Sequence, residues 1–282
     1  MTSIGNLMRG FTQYTREEMA ERLKGGDVVI NADGVAVCKK CGGEKMFHFV
    51  GYGKDCWLPI ACKCERADLE QKQISEEVEE NRKHSGIYGW RNSMTFNDFP
   101  RNSENSRAFT SALNFCKNIR KVMPCGQGMY IYGETGTYKT LLALCIANFL
   151  LDARVKVKFI EACDVLFSVG SLYNTAANAD NANLIAECIS ADVLILDNLG
   201  GDDFRSAKSG TGNAAQRRLA KIIEGRYGKS TVFTSNYSLE NLAEVCHVKV
   251  NTVDRIREMS TRVFQFCGNS HRQPATLTET AF

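Results

Sequence analysis

The stretch that most constrains this chain is Gly133-Glu-Thr-Gly-Thr-Tyr-Lys-Thr140. A short apolar run, Met129-Tyr-Ile-Tyr132, leads into it and reads as a buried strand. Leu141-Leu-Ala-Leu-Cys-Ile-Ala-Asn-Phe-Leu-Leu151 leads out of it and is rich in helix formers. Strand, glycine loop and helix in that order is the context of a phosphate-binding loop. The glycines let the backbone of Gly133, Glu134, Thr135, Gly136, Thr137 and Tyr138 turn its N–H groups onto a phosphate. The helix that follows aims its positive end at the same point. In such a loop Lys139 reaches the β- and γ-phosphates and the Thr140 hydroxyl ligates Mg²⁺, so ATP and Mg²⁺ are the expected ligands. One residue departs from the pattern G-x-x-x-x-G-K-[ST]: Tyr138 stands at the second glycine. A non-glycine residue at positive φ costs ~1–2 kcal/mol, which predicts a distorted loop or weaker nucleotide binding.

Asp192-Val-Leu-Ile-Leu-Asp197 supplies the other half of such a site. Its apolar run reads as a strand, and the carboxylate at its end, Asp197, would hold the Mg²⁺ hydration shell beside Thr140. The next residue, Asn198, sits where a water-polarising acid is expected; an amide is a poor base, so slow hydrolysis is predicted. Asp202 and Asp203 follow the Gly200-Gly201 turn as substitutes. The alternating run Val155-Lys-Val-Lys-Phe-Ile160, an amphipathic helix over 214–227 and the run Ser230-Thr-Val-Phe-Thr-Ser-Asn236 complete a parallel α/β sheet with flanking helices. Asn236 would contact the γ-phosphate or the attacking water, or else cap the helix that starts near Leu239. Arg255 and Arg257 lie near a further helix; an arginine supplied in trans stabilises a transferred phosphoryl group, and otherwise these are surface residues.

Twelve cysteines are many for a chain of 282 residues, and five of them crowd between 38 and 64. Cys38-Lys-Lys-Cys-Gly-Gly43 is a zinc-knuckle half, because the tight turn lets two thiolates meet one ion. Cys62-Lys-Cys64 offers the other half. Cys38, Cys41, Cys62 and Cys64 would close a tetrahedral structural Zn²⁺ site, with Cys56 as a spare and His48 as a weaker alternative. Reduced, unliganded thiols are the competing reading. The segment around them is too small to fold on apolar burial alone, which favours a metal staple. The seven scattered cysteines are expected mostly in the core. Thr15-Arg-Glu-Glu18 is a capping box that opens a helix ending at Gly25-Gly26, and Val28-Val-Ile30 with Val35-Ala-Val37 reads as a hairpin. Residues 65–83 are polar, with few aliphatic anchors, and read as an exposed helix or linker.

The expected organisation is an N-terminal zinc-knuckle domain over 1–66, a polar helical linker over 67–94 and an ATP-binding domain over 95–282. No apolar run is long enough to span a membrane, and the first ten residues lack the apolar core of a signal peptide, so a cytoplasmic address is expected. The net charge of +3 does not by itself argue for a nucleic-acid partner.

The order of these parts resembles the DnaC/DnaI-type helicase loaders of the AAA+ ATPases, including those carried by bacteriophages. The resemblance rests on the cysteine knuckle, Ser85-Gly-Ile87, Thr95-Phe-Asn-Asp-Phe99, the phosphate loop and Leu196-Asp-Asn-Leu-Gly200. Thr234-Ser-Asn236, Val253-Asp-Arg-Ile256 and Gly268-Asn-Ser-His-Arg272 extend it. It implies an AAA+ P-loop domain behind a small zinc-binding domain. Lys139, Thr140 and Asp197 then match the nucleotide and Mg²⁺ positions, Asn236 the sensor and Arg255 the arginine finger. It also implies an N-terminal region that binds a hexameric replicative DNA helicase. ATP-dependent self-association and single-stranded DNA would govern loading. The loop Phe204-Arg-Ser-Ala-Lys208 offers an aromatic and cations for that DNA, or is a plain surface loop. Two rivals stand beside this reading. One is an IstB-like transposition ATPase of the same branch, against which the cysteine knuckle argues. The other is a non-hydrolysing switch in which ATP only joins subunits, motivated by Tyr138 and Asn198.

Overall fold

The computed structural model describes residues 14–51, 54–167, 175–201, 212–246, 248–268 and 270. The chain divides into two compact units, 1–76 and 77–282. Asp202, Asp203, the loop 204–208, His271 and Arg272, together with the apolar stretch 168–173, lie outside the described residues.

In the N-terminal unit, helix α1 (Arg16–Leu23) starts from Thr15, whose hydroxyl accepts from the Glu18 N–H while the Glu18 carboxylate accepts from the Thr15 N–H. This reciprocal cap satisfies two N–H groups that the first turn leaves unpaired. Strands β1 (Val28–Ile30) and β2 (Ala36–Cys38) form an antiparallel hairpin. The Asn31 side chain closes its turn by accepting from the N–H groups of Asp33 and Val35. A second hairpin joins β3 (Met46–Gly51) to β4 (Lys54–Pro59). Among the described residues, the buried apolar cluster of this unit is small: Met19, Ala20, Val35, Ala36 and Met46. Helix α2 (Lys63–His84) buries none of its residues, as its polar sequence requires.

The second unit is a three-layer α/β/α arrangement. Its elements are α3 (Ser106–Lys117), α4 (Ile119–Val122), β5 (Met129–Gly133), α5 (Lys139–Asp152), β6 (Val157–Glu161) and α6 (Ala162–Phe167). There follow α7 (Thr175–Ser190), β7 (Val193–Leu199), α8 (Gly212–Gly225), β8 (Thr231–Ser235), α9 (Leu239–Cys246), α10 (Val250–Met259) and β9 (Arg262–Phe266). The five strands are all parallel, in the order β6-β7-β8-β5-β9. Side chains alternate across a strand, so Met129, Ile131, Val193 and Ile195 pack with α3 and α5. Tyr130, Leu194, Leu196 and Phe233 face the opposite layer with α8, α9 and α10. Both faces of the sheet are covered, which is why β5 and β7 in its interior read as nearly unbroken apolar runs, while the edge strands β6 and β9 carry polar residues among apolar ones.

Three expectations are corrected. The strand expected over 155–160 begins at Val157 and takes in Glu161, because the Val155 N–H still donates to Leu150 O of the preceding helix rather than to a neighbouring strand. The scattered cysteines are core residues at Cys116, Cys145 and Cys188, whereas Cys125 and Cys267 are exposed at a turn and past a strand end. The cap of α9 is Ser238, whose hydroxyl accepts from the Asn241 N–H, so Asn236 is left free of that role. Among the described residues, no helix is long and apolar enough to cross a membrane.

Among the described residues, the largest fully buried side chain is an arginine. Arg226, just past α8, donates to the carbonyls of Ile189, Ala191, Asp192 and Ser230 and to the Thr231 hydroxyl. It ties the end of α7 to the starts of β7 and β8, and burial brings its pKa down to about 10. Arg226→Met would take the guanidinium donor from the Ala191 and Asp192 carbonyls, while Ile189 O keeps Lys229 Nζ at 2.7 Å and Ser230 O keeps the Leu194 N–H at 3.3 Å; each unsatisfied buried group costs ~1–3 kcal/mol. A loss of about 3 kcal/mol or more in urea unfolding is expected; an unchanged midpoint would show that water or neighbours replace the guanidinium.

Candidate functional site

The phosphate loop leaves the end of β5 and turns into α5. Gly133 lies at φ 143 and a Cβ there would collide with the Phe266 carbonyl of β9. Gly136 lies at φ 85 with Ser270 packed against it. Only glycine accommodates both the conformation and the approach. Tyr138 caps α5 at φ 69 and ψ 16, the left-handed geometry that the missing glycine would take. The expected distortion is therefore corrected: the tyrosine keeps the glycine conformation. Its ring stands edge-on to Phe99 at 6.3 Å, and such aromatic pairs contribute ~0.5–1.5 kcal/mol against the strain.

Lys139 is buried, and its ammonium donates to the carbonyls of Gly133 at 2.8 Å and Glu134 at 2.6 Å. The Thr137 hydroxyl donates to Glu134 O as well. The cation thus lies folded on the loop, where phosphate oxygens would compete for its protons. The Thr140 hydroxyl donates to both carboxylate oxygens of Asp197, at 3.1 and 3.0 Å. The Thr234 hydroxyl, at the end of β8, donates to Asp197 Oδ1 and accepts from the Asn198 N–H at 2.9 Å. Asp197 is 2% exposed. Burial raises its pKa above the ordinary carboxylate range, while the Thr234 and Thr140 hydroxyls oppose the rise. Asn198 is exposed at φ 57, a conformation asparagine tolerates better than most residues.

These groups open into a cavity of 620 Å³ that includes Thr135 to Thr140, Glu161, Asp197, Asn198, Thr234 and Asn236. A buried carboxylate joined to a hydroxyl at the start of a phosphate-loop helix is an oxygen donor set that suits Mg²⁺, which keeps most of its waters. Asn236 also borders a second cavity of 530 Å³ with Gly133, Glu134 and Cys267. Arg255 does not line either cavity. It is half exposed on α10, pairs with Glu258 at 2.9 Å and lies over the Tyr227 ring at 4.8 Å.

Sequence reasoning missed the groups that build the outer wall. Asn148, the polar residue inside the apolar run of α5, donates to the carbonyls of Arg91 and Met94, both at 2.8 Å. It accepts from Arg82 at 3.2 Å. It thereby fixes the turn Gly89–Ser93 against the phosphate-loop helix. Arg91 in turn holds Glu161 with both terminal nitrogens at 3.1 Å. A lone Asn among Leu, Ile and Ala was the available signal.

In the N-terminal unit, the sulfurs of Cys38, Cys41, Cys62 and Cys64 lie within 4.8 Å of one another. Cys64 is 3.5 Å from Cys38, 3.2 Å from Cys62 and 3.5 Å from Cys41. Tetrahedral Zn²⁺ with Zn–S bonds of ~2.3 Å separates its sulfurs by about 3.8 Å, so the cluster fits the ion. Backbone N–H groups of Cys64 and Gly43 bring Cys41 down to about 6. Those of Cys41 and Lys40 lower Cys38. Cys64, crowded by Cys62 and then by the other two sulfurs, is pushed up to about 12. Four thiolates need a cation among them. Cys56 pairs with Phe49 across the β3–β4 hairpin, and His48 stacks on Trp57 at 5.0 Å; neither belongs to the cluster.

A parallel sheet in this order, with a glycine loop entering a helix and an acid ending the neighbouring strand's partner, defines a P-loop nucleotide-binding unit of the AAA+ type. Residues 94–277 match the family described as IstB-like ATP binding protein. The chain belongs to that family of ATP-binding proteins. No curated protein matches the chain. Among solved structures it is similar to a crystal structure of DnaI, at 20% identity and a TM-score of 0.50, over 64% of this chain and 92% of that one. It is similar to the replication initiator DnaA bound to AMPPCP and single-stranded DNA, at 19% identity and a TM-score of 0.50, over 63% of this chain and 50% of that one. A crystal structure of the DnaC helicase loader matches at 25% identity and a TM-score of 0.49, over 62% of this chain and 99% of that one. The DnaI and DnaA likenesses establish the fold. The chain spans about half the length of the DnaA structure it matches.

The cysteine geometry yields a direct expectation. The freshly purified, reduced protein should carry about one Zn²⁺ per chain. Cys38→Ser or Cys41→Ser should unfold the N-terminal unit and spare nucleotide binding. Elemental analysis that finds no zinc would overturn this assignment.

Proposed function

We propose that this chain is a DnaC/DnaI-type helicase loader. It binds ATP with Mg²⁺, self-associates when ATP is bound, engages single-stranded DNA and delivers a hexameric replicative DNA helicase. The observation that carries this reading is the pairing, in one chain, of a four-cysteine module with a phosphate-loop unit of the DnaI fold. In functional terms residues 1–66 are the zinc-bearing module that meets the helicase, 67–94 a polar linker and 95–282 the ATPase.

The backbone N–H groups of 133–138 cradle the phosphates, and Lys139 exchanges the Gly133 and Glu134 carbonyls for phosphate oxygens. Thr140 and Asp197 hold Mg²⁺, which offsets phosphate charge when bound. Asn236 faces the γ-phosphate or the attacking water. Arg255, exposed and outside its own chain's cavity, serves the site of a neighbouring subunit.

One observation favours a second reading, an IstB-like transposition ATPase that assembles on duplex DNA. The family match covers 94–277 and leaves the cysteine module outside it. ATP turnover measured alone, with single-stranded DNA and helicase, and with duplex DNA separates the readings. A loader is stimulated by the first pair and a transposition ATPase by duplex; a non-hydrolysing switch responds to none.

Under the loader reading, Lys139→Ala abolishes nucleotide binding. Arg255→Ala spares binding and removes assembly-dependent turnover, by ~10³-fold or more. Fast turnover by the isolated wild-type monomer, or full stimulated turnover by Arg255→Ala, would contradict this account.

A further inference from the structure

The residue after Asp197 is an amide, yet a second carboxylate reaches the same cavity from the adjoining strand. Glu161 ends β6 and is paired in parallel register with Asp197 on β7. Neighbouring strands lie ~4.8 Å apart and paired residues project to the same side of the sheet. Both acids line the 620 Å³ cavity with Thr140, Thr234 and Asn236. Their environments differ. Asp197 is sealed at 2% exposure and spends its oxygens on Thr140 and Thr234. The Glu161 side chain is about one-third exposed, at 34%, so water reaches it.

Arg91 fixes its direction. Both terminal nitrogens of the guanidinium donate to the same oxygen, Glu161 Oε1, at 3.1 Å. Oε2 meets only the weak Cys163 thiol at 3.8 Å among the hydrogen bonds described for it. The Arg91 backbone is itself anchored by Asn148 of α5, so the element that starts at Lys139 also sets the carboxylate's partner. The charged and titratable groups around Glu161 are Arg91, Cys163, Asp164 and Asp197.

We infer that Glu161, rather than a residue following Asp197, accepts the proton of the attacking water, and that Arg91 is its positioning residue. The inference rests on the ATPase reading above. The water oxygen forms a bond to the γ-phosphorus while the bond from that phosphorus to the β–γ bridging oxygen breaks. ADP departs with the electron pair, and the water proton passes to the Glu161 carboxylate and then to solvent. Asn198, tied through its N–H to Thr234, keeps a structural place beside Asp197 without acting as a base.

The test uses the full chain, with ATP binding and assembly-stimulated turnover measured separately. Glu161→Gln should bind ATP as wild type does and lose turnover by ~10²-fold or more, the usual contribution of a general base. Adding Asn198→Glu to Glu161→Gln should recover at least ~10-fold, since it returns a carboxylate one strand away. The exchange Arg91→Glu with Glu161→Arg keeps the ion pair and should give a folded, ATP-binding, inactive protein. A merely structural pair would survive that exchange with its turnover intact, which would overturn the inference. So would wild-type turnover by Glu161→Gln when wild type exceeds Lys139→Ala. Wild type that turns over no faster than Lys139→Ala would sink the ATPase reading and this inference together.

Discussion

The interaction on which the second unit depends is the buried carboxylate of Asp197 between two hydroxyls. Thr140 comes from the phosphate-loop helix and Thr234 from the neighbouring strand β8, so one side chain fixes three elements at the point where the phosphates would lie. A carboxylate at 2% exposure is costly unless its oxygens are satisfied. Here two hydroxyl donors meet that requirement, and burial still raises the proton affinity. A site built this way holds its acceptor group in place before any ligand arrives, which is the condition for electrostatic pre-organisation.

Everything around that hub serves to bring a glycine loop close. Gly133 lets β5 pass against the Phe266 carbonyl, and Gly136 admits Ser270. Tyr138 meets the same demand without being glycine, and its ring contact with Phe99 counters part of the strain. On the far side, Asn148 and Arg91 carry the rigidity of α5 out to Glu161. The cysteine module follows a different logic. The apolar core of five buried residues among its described residues supplies only a little stability, and four converging sulfurs suit a metal that would add to it.

Local signals made much of this legible in the sequence. The phosphate loop, the acid ending Asp192-Val-Leu-Ile-Leu-Asp197, the capping box at Thr15 and the C-x-x-C turn each carry their geometry in a few consecutive residues. What stayed hidden was long-range. Periodicity marks 155–160 as a strand, but only the observed strand end and the strand order set Glu161 beside Asp197. Nothing local links Asn148 to Arg91, which lies 57 residues earlier. Arg226 lies inside the amphipathic helix expected over 214–227, and its burial against four carbonyls follows only from how α7, β7 and β8 meet. Tyr138 misled for the opposite reason: the local rule prices the left-handed conformation correctly and cannot see the ring that supports it.

The central claim is that Asp197, held by Thr140, is where a divalent cation joins bound ATP to the sheet. Calorimetric titration of ATP into wild type and Asp197→Asn, each with and without Mg²⁺, tests it most directly. Asparagine keeps the size of the side chain and an oxygen for one hydroxyl, so the loop should persist and Mg²⁺-free binding should match wild type. Mg²⁺ should then strengthen ATP binding in wild type and do little for the variant. Equal enhancement by Mg²⁺ in both proteins would contradict the account and place the cation elsewhere.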